Sequence, residues 1–479
     1  MKKLNYLVKL TFISIIVNTI ASCSSTNEKK LKPNVVFILV DDLGWRDLSY
    51  AGSKFYQTPH VDSLASKGVT FTNAYAASTV SSPTRAGILS GKYPATINCT
   101  DWITGHVKPF AKLKVPDWTM YLDTAEYTMA EAFRDAGYVT AHIGKFHLGE
   151  EETYWPDNQG FDINIAGWKM GRPLSYFSPY KNPKISDGPE GEYLTDRLAE
   201  EACNFIAQNK EQPFFLNLWF YNVHTPLQAK QETIDKYKAK VDSGYMQRNP
   251  VYAAMVEHTD DAVGRVVSEL QKQGLLENTI IVFTSDNGGL VGSYPEYRVT
   301  SNLPLRSGKG SMYEGGVRVP AFIVAPGIAT PGLKCDVPII SSDYFPTLME
   351  LTGVKYKDKV KNTLDGLSIV PLFKQNGSID RSSIFWHYPH YHPEGAVPYS
   401  AIRKNQWKLI HVIENDSYEL YNLKDDIGEE NNLIDVNTER ADSLKQELNA
   451  WRVKAGAQMP TLNPDYDKEK ENLYSWQIK

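Results

Sequence analysis

The sequence predicts an α/β fold in which a mainly parallel sheet lies between helices, followed by a smaller α+β subdomain with an antiparallel sheet. Three observations carry this. Runs such as Asn34–Val40 are almost continuously apolar and rich in β-branched residues, the pattern of strands buried on both faces. Helix signals fall between those runs. After about Phe373 the pattern changes to short alternating strands and one closing helix.

Asn34–Val40 is the first strand. Thr128 with Glu131 three residues on forms a capping box, and Gly137 stands where the helix would stop. Tyr138–Ile143 is the next strand. Thr195 to about Asn209 reads as a helix, Pro213–Phe220 as a strand, and Tyr252–Lys272 as a long amphipathic helix closed near Gly274. Thr279–Thr284 and Ala321–Ala325 are further strands. Ser400–Arg403 and Trp407–Ile410 are the clearest alternating strands within 384–422. Thr438–Ala455 is the last helix, with Thr438 as its N-cap. The domains expected are 33–375 and 376–479.

The chain has 479 residues, 42% of them hydrophobic and 22% charged, which excludes a disordered or fibrous class. A net charge of −5 without a basic block excludes a nucleic-acid partner. Lys2, Lys3 and Lys9 precede Leu10–Ala21, an apolar stretch too short for the ~20 residues of a spanning helix. It ends in Ile20-Ala21-Ser22-Cys23, which resembles a bacterial lipobox. That resemblance implies a signal peptide over 1–22, lipidation of Cys23, a tether over 23–32, and a protein anchored to a membrane in the periplasm or at the cell surface. Cys99, Cys203 and Cys335 have no metal-ligand spacing and make no disulfide framework.

In open α/β sheets, sites form at the carboxyl ends of the strands. Four strands here end in polar groups: Asp41-Asp42, Lys145 with His147, His224, and Asp286-Asn287. Three carboxylates would repel one another without a cation between them, and an all-oxygen set suits Ca²⁺ or Mg²⁺. In Ser81-Ser82-Pro83-Thr84-Arg85, Pro83 fits the first position of a helix with Ser82 as N-cap, and Gly91 ends it. Ser81 then sits at a helix N-terminus, where an anion is favoured, with the fork of Arg85 nearby. A hydroxyl so placed is a nucleophile candidate.

Ser81–Arg85 with Gly87-Ile88-Leu89-Ser90-Gly91 resembles the signature of type I, formylglycine-dependent sulfatases. Val40–Trp45, Gly144–Gly149, Asp286–Gly288, Gly308–Gly310 with Tyr313–Pro320, and Leu420–Leu423 resemble that family's other blocks in its order, over roughly 33–455. The resemblance implies an alkaline-phosphatase-like fold and hydrolysis of a sulfate monoester. It implies that Ser81 is oxidised to Cα-formylglycine (3-oxoalanine) by a sulfatase-maturing enzyme, of the anaerobic radical type because the residue is serine. Asp41, Asp42, Ser81, Asp286 and Asn287 would hold one Ca²⁺. Arg85 and His147 would stabilise and deprotonate the formylglycine hydrate. Lys145, His224 and Lys309 would bind sulfate, with His224 as general acid and Lys309 as the alternative. Glu314 and Arg318 would pin the Lys309 loop.

The overall pattern is similar to exo-acting carbohydrate sulfatases for galactose or N-acetylgalactosamine 4-sulfate. Candidate sugar contacts are Asp101-Trp102, His106 and the segment Trp386–His392, in particular Trp102, His387 and His390, with 168–193 as a rim loop. Two other classes are weighed against this: a phosphoester or phosphonate hydrolase of the same superfamily, and a glycan-binding lipoprotein without catalysis.

Overall fold

The central sheet is built from β1 (Asn34–Val40), β2 (Val69–Phe71), β3 (Val139–Gly144), β4 (Ile163–Ile165), β5 (Phe214–Trp219), β6 (Thr279–Ser285), β7 (Ala321–Val324) and β8 (Leu333–Cys335). Their spatial order is β8-β2-β7-β6-β1-β5-β3-β4. The computed structural model describes residues 32–478 apart from 357 and 362. The signal peptide, Cys23 and the tether expected from the sequence lie outside them.

β1 is the centre of the sheet because every residue of it can be buried. Val36, Ile38 and Val40 enter one hydrophobic core, and Val35, Phe37 and Leu39 enter the other. Helices cover both faces. α1 (Ser81–Ser90) and α2 (Met129–Asp135) pack on one, α3 (Leu194–Gln208) and α4 (Pro250–Lys272) on the other. The capping box of α2 is formed: Thr128 Oγ1 accepts from Glu131 N at 3.1 Å, and Thr128 N donates to Glu131 Oε2 at 2.7 Å. α4 starts two residues ahead of the expected Tyr252, because Asn249 accepts from the amides of Val251 and Tyr252 and Pro250 fits the first position.

β1 runs parallel to β5 and β6, and β3 runs parallel to β5. β7 is antiparallel to both β6 and β2. The chain between β6 and β7 holds only the one-turn helix Glu314–Val317, too short to cover a sheet face in a parallel crossover.

β9 (Ser383–Tyr388), β10 (Tyr399–Lys404), β11 (Trp407–Val412) and β12 (Ser417–Asn422) form the antiparallel sheet, against which α5 (Thr438–Ala455) packs. The residue flanking α5 is Asn437 rather than Thr438, and no side chain caps it. The core of this sheet takes in Tyr75, Val80, Tyr93 and Ile340 from the preceding part, and the chain from Lys32 onward forms one unit. Buried Lys408 of β11 bridges Glu314 at 3.0 Å and Glu429 at 2.8 Å, and Arg318 lies 3.5 Å from Glu314. The loop carrying Lys309 is thereby tied to the second sheet. Among the described residues no helix is long and apolar enough to cross a membrane.

Candidate active site

β6, β1, β5 and β3 are adjacent and parallel, so their carboxyl ends share one edge. Asp286-Asn287, Asp41-Asp42, His224, and Lys145 with His147 follow those ends in the chain. Asp42 and His147 take left-handed backbone, with φ of 60° and 59°. Such conformations cost about 1–2 kcal/mol outside glycine and persist where surrounding structure enforces them.

α1 brings two more groups, Ser81 and Arg85. It begins at Ser81, after extended Val80, and not at Pro83 as the cap chemistry predicts. Ser82 is unavailable as a cap: its Oγ accepts from Ile103 N at 3.2 Å and bonds His147 Nδ1 at 3.2 Å. Gly91 ends the helix with φ of 67°, as expected.

Ser81 Oγ accepts from Lys145 Nζ at 3.0 Å and faces Asp41 Oδ1 at 3.2 Å and Asn287 Oδ1 at 3.4 Å. One turn on, Arg85 Nε donates to Asp286 Oδ2 at 2.8 Å and Nη1 donates to the Lys145 carbonyl at 2.7 Å. Its Nη2 is buried without a hydrogen-bond partner, 3.8 Å from Asp41 Oδ1. Lys145 Nζ lies 2.7 Å from Asp41 Oδ2, and Lys309 Nζ lies 2.8 Å from the Asp42 carboxylate. Asp286 Oδ1 accepts from the amide of Asp42 at 3.1 Å, and Asn287 Nδ2 donates to Asp42 Oδ1 at 2.8 Å. His224 Nε2 is 3.6 Å from Asp42 Oδ2.

The charges are crowded. Burial, together with Asp286 and Asp42, pushes the Asp41 carboxyl up to about 8 against the pull of Lys145. Burial also works against the other two carboxylates, but the cations led by Lys309 outweigh it at Asp42, and Arg85 and Lys145 outweigh it at Asp286, so both are held low. Fully ionised, the three carboxylates match Arg85, Lys145 and Lys309 in number, and the raised Asp41 carboxyl, holding its proton at neutral pH, tips the cluster positive. An anionic ester gains a net attraction there, stronger when a further cation joins. Asp41, Asp42 and the imidazole of His224 bring ligand atoms within 4.8 Å of one another, and around them stand carboxylate, amide and hydroxyl oxygens of Asp286, Asn287 and Ser81 with no thiolate. The set therefore fits a hard divalent ion.

A cavity of about 530 Å³ opens over this cluster. Ser81, Lys145, His147, His224 and Lys309 line it, with Trp102, His106 and His392 among the other lining residues. His147 is held neutral by burial and by Lys145, and its Nε2–H donates to the Ile103 carbonyl at 2.6 Å.

Two of the expected sugar contacts are not brought to the cavity. His387 bonds Ser400 Oγ at 2.7 Å and the Gln458 carbonyl at 2.8 Å, and buried His390 bonds Thr100 Oγ1 at 2.8 Å. Both imidazoles are committed to internal partners. Asp101 is likewise buried against Tyr388 OH at 2.6 Å. The histidine of that segment that reaches the cavity is His392. Its Nδ1 accepts from Glu394 N at 3.1 Å, which leaves the proton on Nε2. Its ring packs on Gly310, where a Cβ would come within 2.1 Å of Nδ1. No local signal separates His392 from its neighbours, because the turn after β9 decides which ring faces inward.

A prediction follows for His387. Its replacement by alanine should cost about 1–3 kcal/mol of stability by leaving buried partners unpaired, read as a lower Tm. The kcat/KM for a sulfated monosaccharide should change little. A fall in kcat/KM at unchanged Tm would place His387 against the substrate.

The comparisons with known proteins point one way. The family described as Sulfatase matches residues 33–354, and the family described as N-sulphoglucosamine sulphohydrolase, C-terminal, matches 308–454. A sulfatase of Formosa agariphila is 32% identical, covering 95% of each chain. Human N-acetylgalactosamine-6-sulfatase is 31% identical over 74% of this chain and 68% of its own. The solved structure of Ps i-CgsB in complex with k-i-k-neocarrahexaose superposes with a TM-score of 0.74 at 29% identity, covering 92% of this chain and 96% of that one. The matched stretch runs from β1 into the second half of the chain and takes in the four polar strand ends and Ser81 at the start of α1, so the protein belongs to the sulfatase family and is a sulfuric ester hydrolase.

Proposed function

We propose that this sulfatase removes sulfate from the terminal sugar of a glycan, with a sulfated galactose or N-acetylgalactosamine as substrate. The observation that carries the reading is the Ser81 hydroxyl at a helix N-terminus, bonded to Lys145 and opening into a cavity of about 530 Å³. That volume suits one sugar with its sulfate. The carbohydrate named for the Ps i-CgsB complex and the sugar named for the human relative support the substrate class.

In this reading residue 81, once oxidised, would supply a hydrated aldehyde as nucleophile; Asp41, Asp42, Asp286 and Asn287 would hold a Ca²⁺, whose charge would supply Lewis-acid polarisation of the sulfate. The chain's own residues do the rest. Lys145 and Lys309 bind sulfate oxygens. Arg85 orients Asp286 and the Lys145 backbone, and His147 and Ser82 fix the start of α1. The enzyme is carried on lipidated Cys23 in the periplasm or at the cell surface and is matured by a radical-type enzyme.

A proton must reach the departing sugar oxygen. His224 faces the site through Nε2, while its Nδ1 donates to the Thr225 carbonyl at 2.7 Å. Burial and Lys309 push its pKa down to about 3, so the imidazole is neutral in this arrangement. Burial also lowers Lys309, but Asp42 and Asp41 outweigh it and keep that ammonium charged. This favours Lys309 as a second reading for the donor. The test compares a sugar sulfate with an activated aryl sulfate, whose leaving group needs little help. If His224 is the acid, His224→Ala slows the sugar sulfate by ~10²–10⁴ and the aryl sulfate much less. Equal losses on both substrates assign His224 to sulfate binding and the proton to Lys309. Assays on 4- and 6-sulfated sugars identify the position cleaved, and no turnover of any sulfated sugar, with aryl sulfate cleaved, overturns the carbohydrate reading.

A further inference from the structure

The last residues of the chain return to the active-site loop. Thr461-Leu462 pairs antiparallel with Leu113-Lys114, Asn463 Nδ2 donates to the carbonyls of Pro109 and Ala111, and Ser475 N donates to the Val107 carbonyl at 2.9 Å. The segment so held is the insertion after α1 that bears Trp102 and His106. Rings from the two segments form one ladder. His147 and Trp102 have centroids 6.2 Å apart, Trp102 and His106 4.6 Å, His106 and Trp476 4.9 Å, and Trp476 and Tyr474 4.5 Å with planes 10° apart. The inner rings, His147, Trp102 and His106, line the cavity. The outer two, Trp476 and Tyr474, do not; Tyr474 is buried, whereas Trp476 is 57% exposed.

The indole is stacked against Tyr474 and beside His106 and still leaves more than half of its surface open. Its position continues a line of rings out of the cavity of a glycan-acting enzyme. Pyranose rings present C–H faces to aromatic faces, and a tryptophan fixed by stacking loses little conformational freedom when it takes one. We infer that Trp476, carried by the C-terminal tail, is the stacking platform for the sugar next to the sulfated one, so that the enzyme prefers an oligosaccharide to the free sulfated sugar. This rests on the carbohydrate reading above for the inner sugar only.

The test uses the full chain and two probes with the same sulfated terminal galactose or N-acetylgalactosamine, one the monosaccharide and one a tetrasaccharide. Wild type should show a kcat/KM advantage of about tenfold for the tetrasaccharide. Trp476→Ala should erase the advantage, and Trp476→Phe should keep most of it. Binding of the tetrasaccharide to protein still carrying serine at 81 is measured by titration, independently of turnover, and should weaken by a similar factor in Trp476→Ala. An equal tetrasaccharide-to-monosaccharide ratio in wild type and Trp476→Ala, or unchanged binding, overturns the platform. Loss of all sugar-sulfate turnover with tetrasaccharide binding still dependent on Trp476 overturns the substrate reading and leaves the platform standing.

Discussion

Ser81→Ala is expected to leave less than about a hundredth of the wild-type rate on any sulfate ester, because no other hydroxyl stands in its place and a lost covalent nucleophile is not replaced by its neighbours. Ser81 Oγ meets Lys145, Asp41 and Asn287 within 3.4 Å. Its removal unpairs Lys145 in part, at a cost of about 1–3 kcal/mol, so the variant should fold and melt somewhat lower. Protein produced without a maturing enzyme should behave as this variant does. Peptide mass spectrometry over residues 70–92 should show residue 81 lacking two hydrogens in active protein and intact serine in inactive protein. Activity that survives with serine at 81, or above a hundredth in Ser81→Ala, removes formylglycine from the mechanism.

Chelation is the second large effect. Removing the divalent ion should bring turnover to background, and Ca²⁺ or Mg²⁺ should restore it. Asp41, Asp42 and Asp286 are 0–1% exposed in one buried cluster, and an ion bound only by the folded cluster stabilises the fold by mass action. Chelation should therefore also lower Tm, a readout independent of turnover. The same carboxylates make the loss steeper in acid, since their protonation removes the ligand charge. Metal analysis that returns zinc, or two ions per chain, would contradict the oxygen-donor site.

Much of this site was legible because its parts sit where patterned strands stop. Asp41, Lys145, His224 and Asp286 each follow an apolar run, and the parallel order of β6, β1, β5 and β3 does the rest. What could not be read was decided by tertiary contacts. Ser82 looks like a cap, yet its hydroxyl is taken by Ile103 and His147. His387 and His390 carry the same chemistry as His392, and only the packing of β9 on its neighbours turns the first two inward. β7 has the composition of a parallel strand, and its direction is set by the lack of a crossover helix before it. The path of the C-terminal tail back to Val107 has no sequence signature at all.

The burial of Ser81 has a consequence in time. The residue is 3% exposed, on a helix whose ten residues are all buried, behind a strand paired with partners about 180 and 245 positions away. Contacts so distant in sequence form late, since each closes a long loop. Under the proposed oxidation of Ser81, a maturing enzyme would have to reach the residue before the sheet closes over it. Maturation and folding would then compete for the same stretch of chain, and the active fraction would follow from how the two rates partition the chains. A mutation that speeds assembly of the sheet would then yield more folded protein with less activity per molecule.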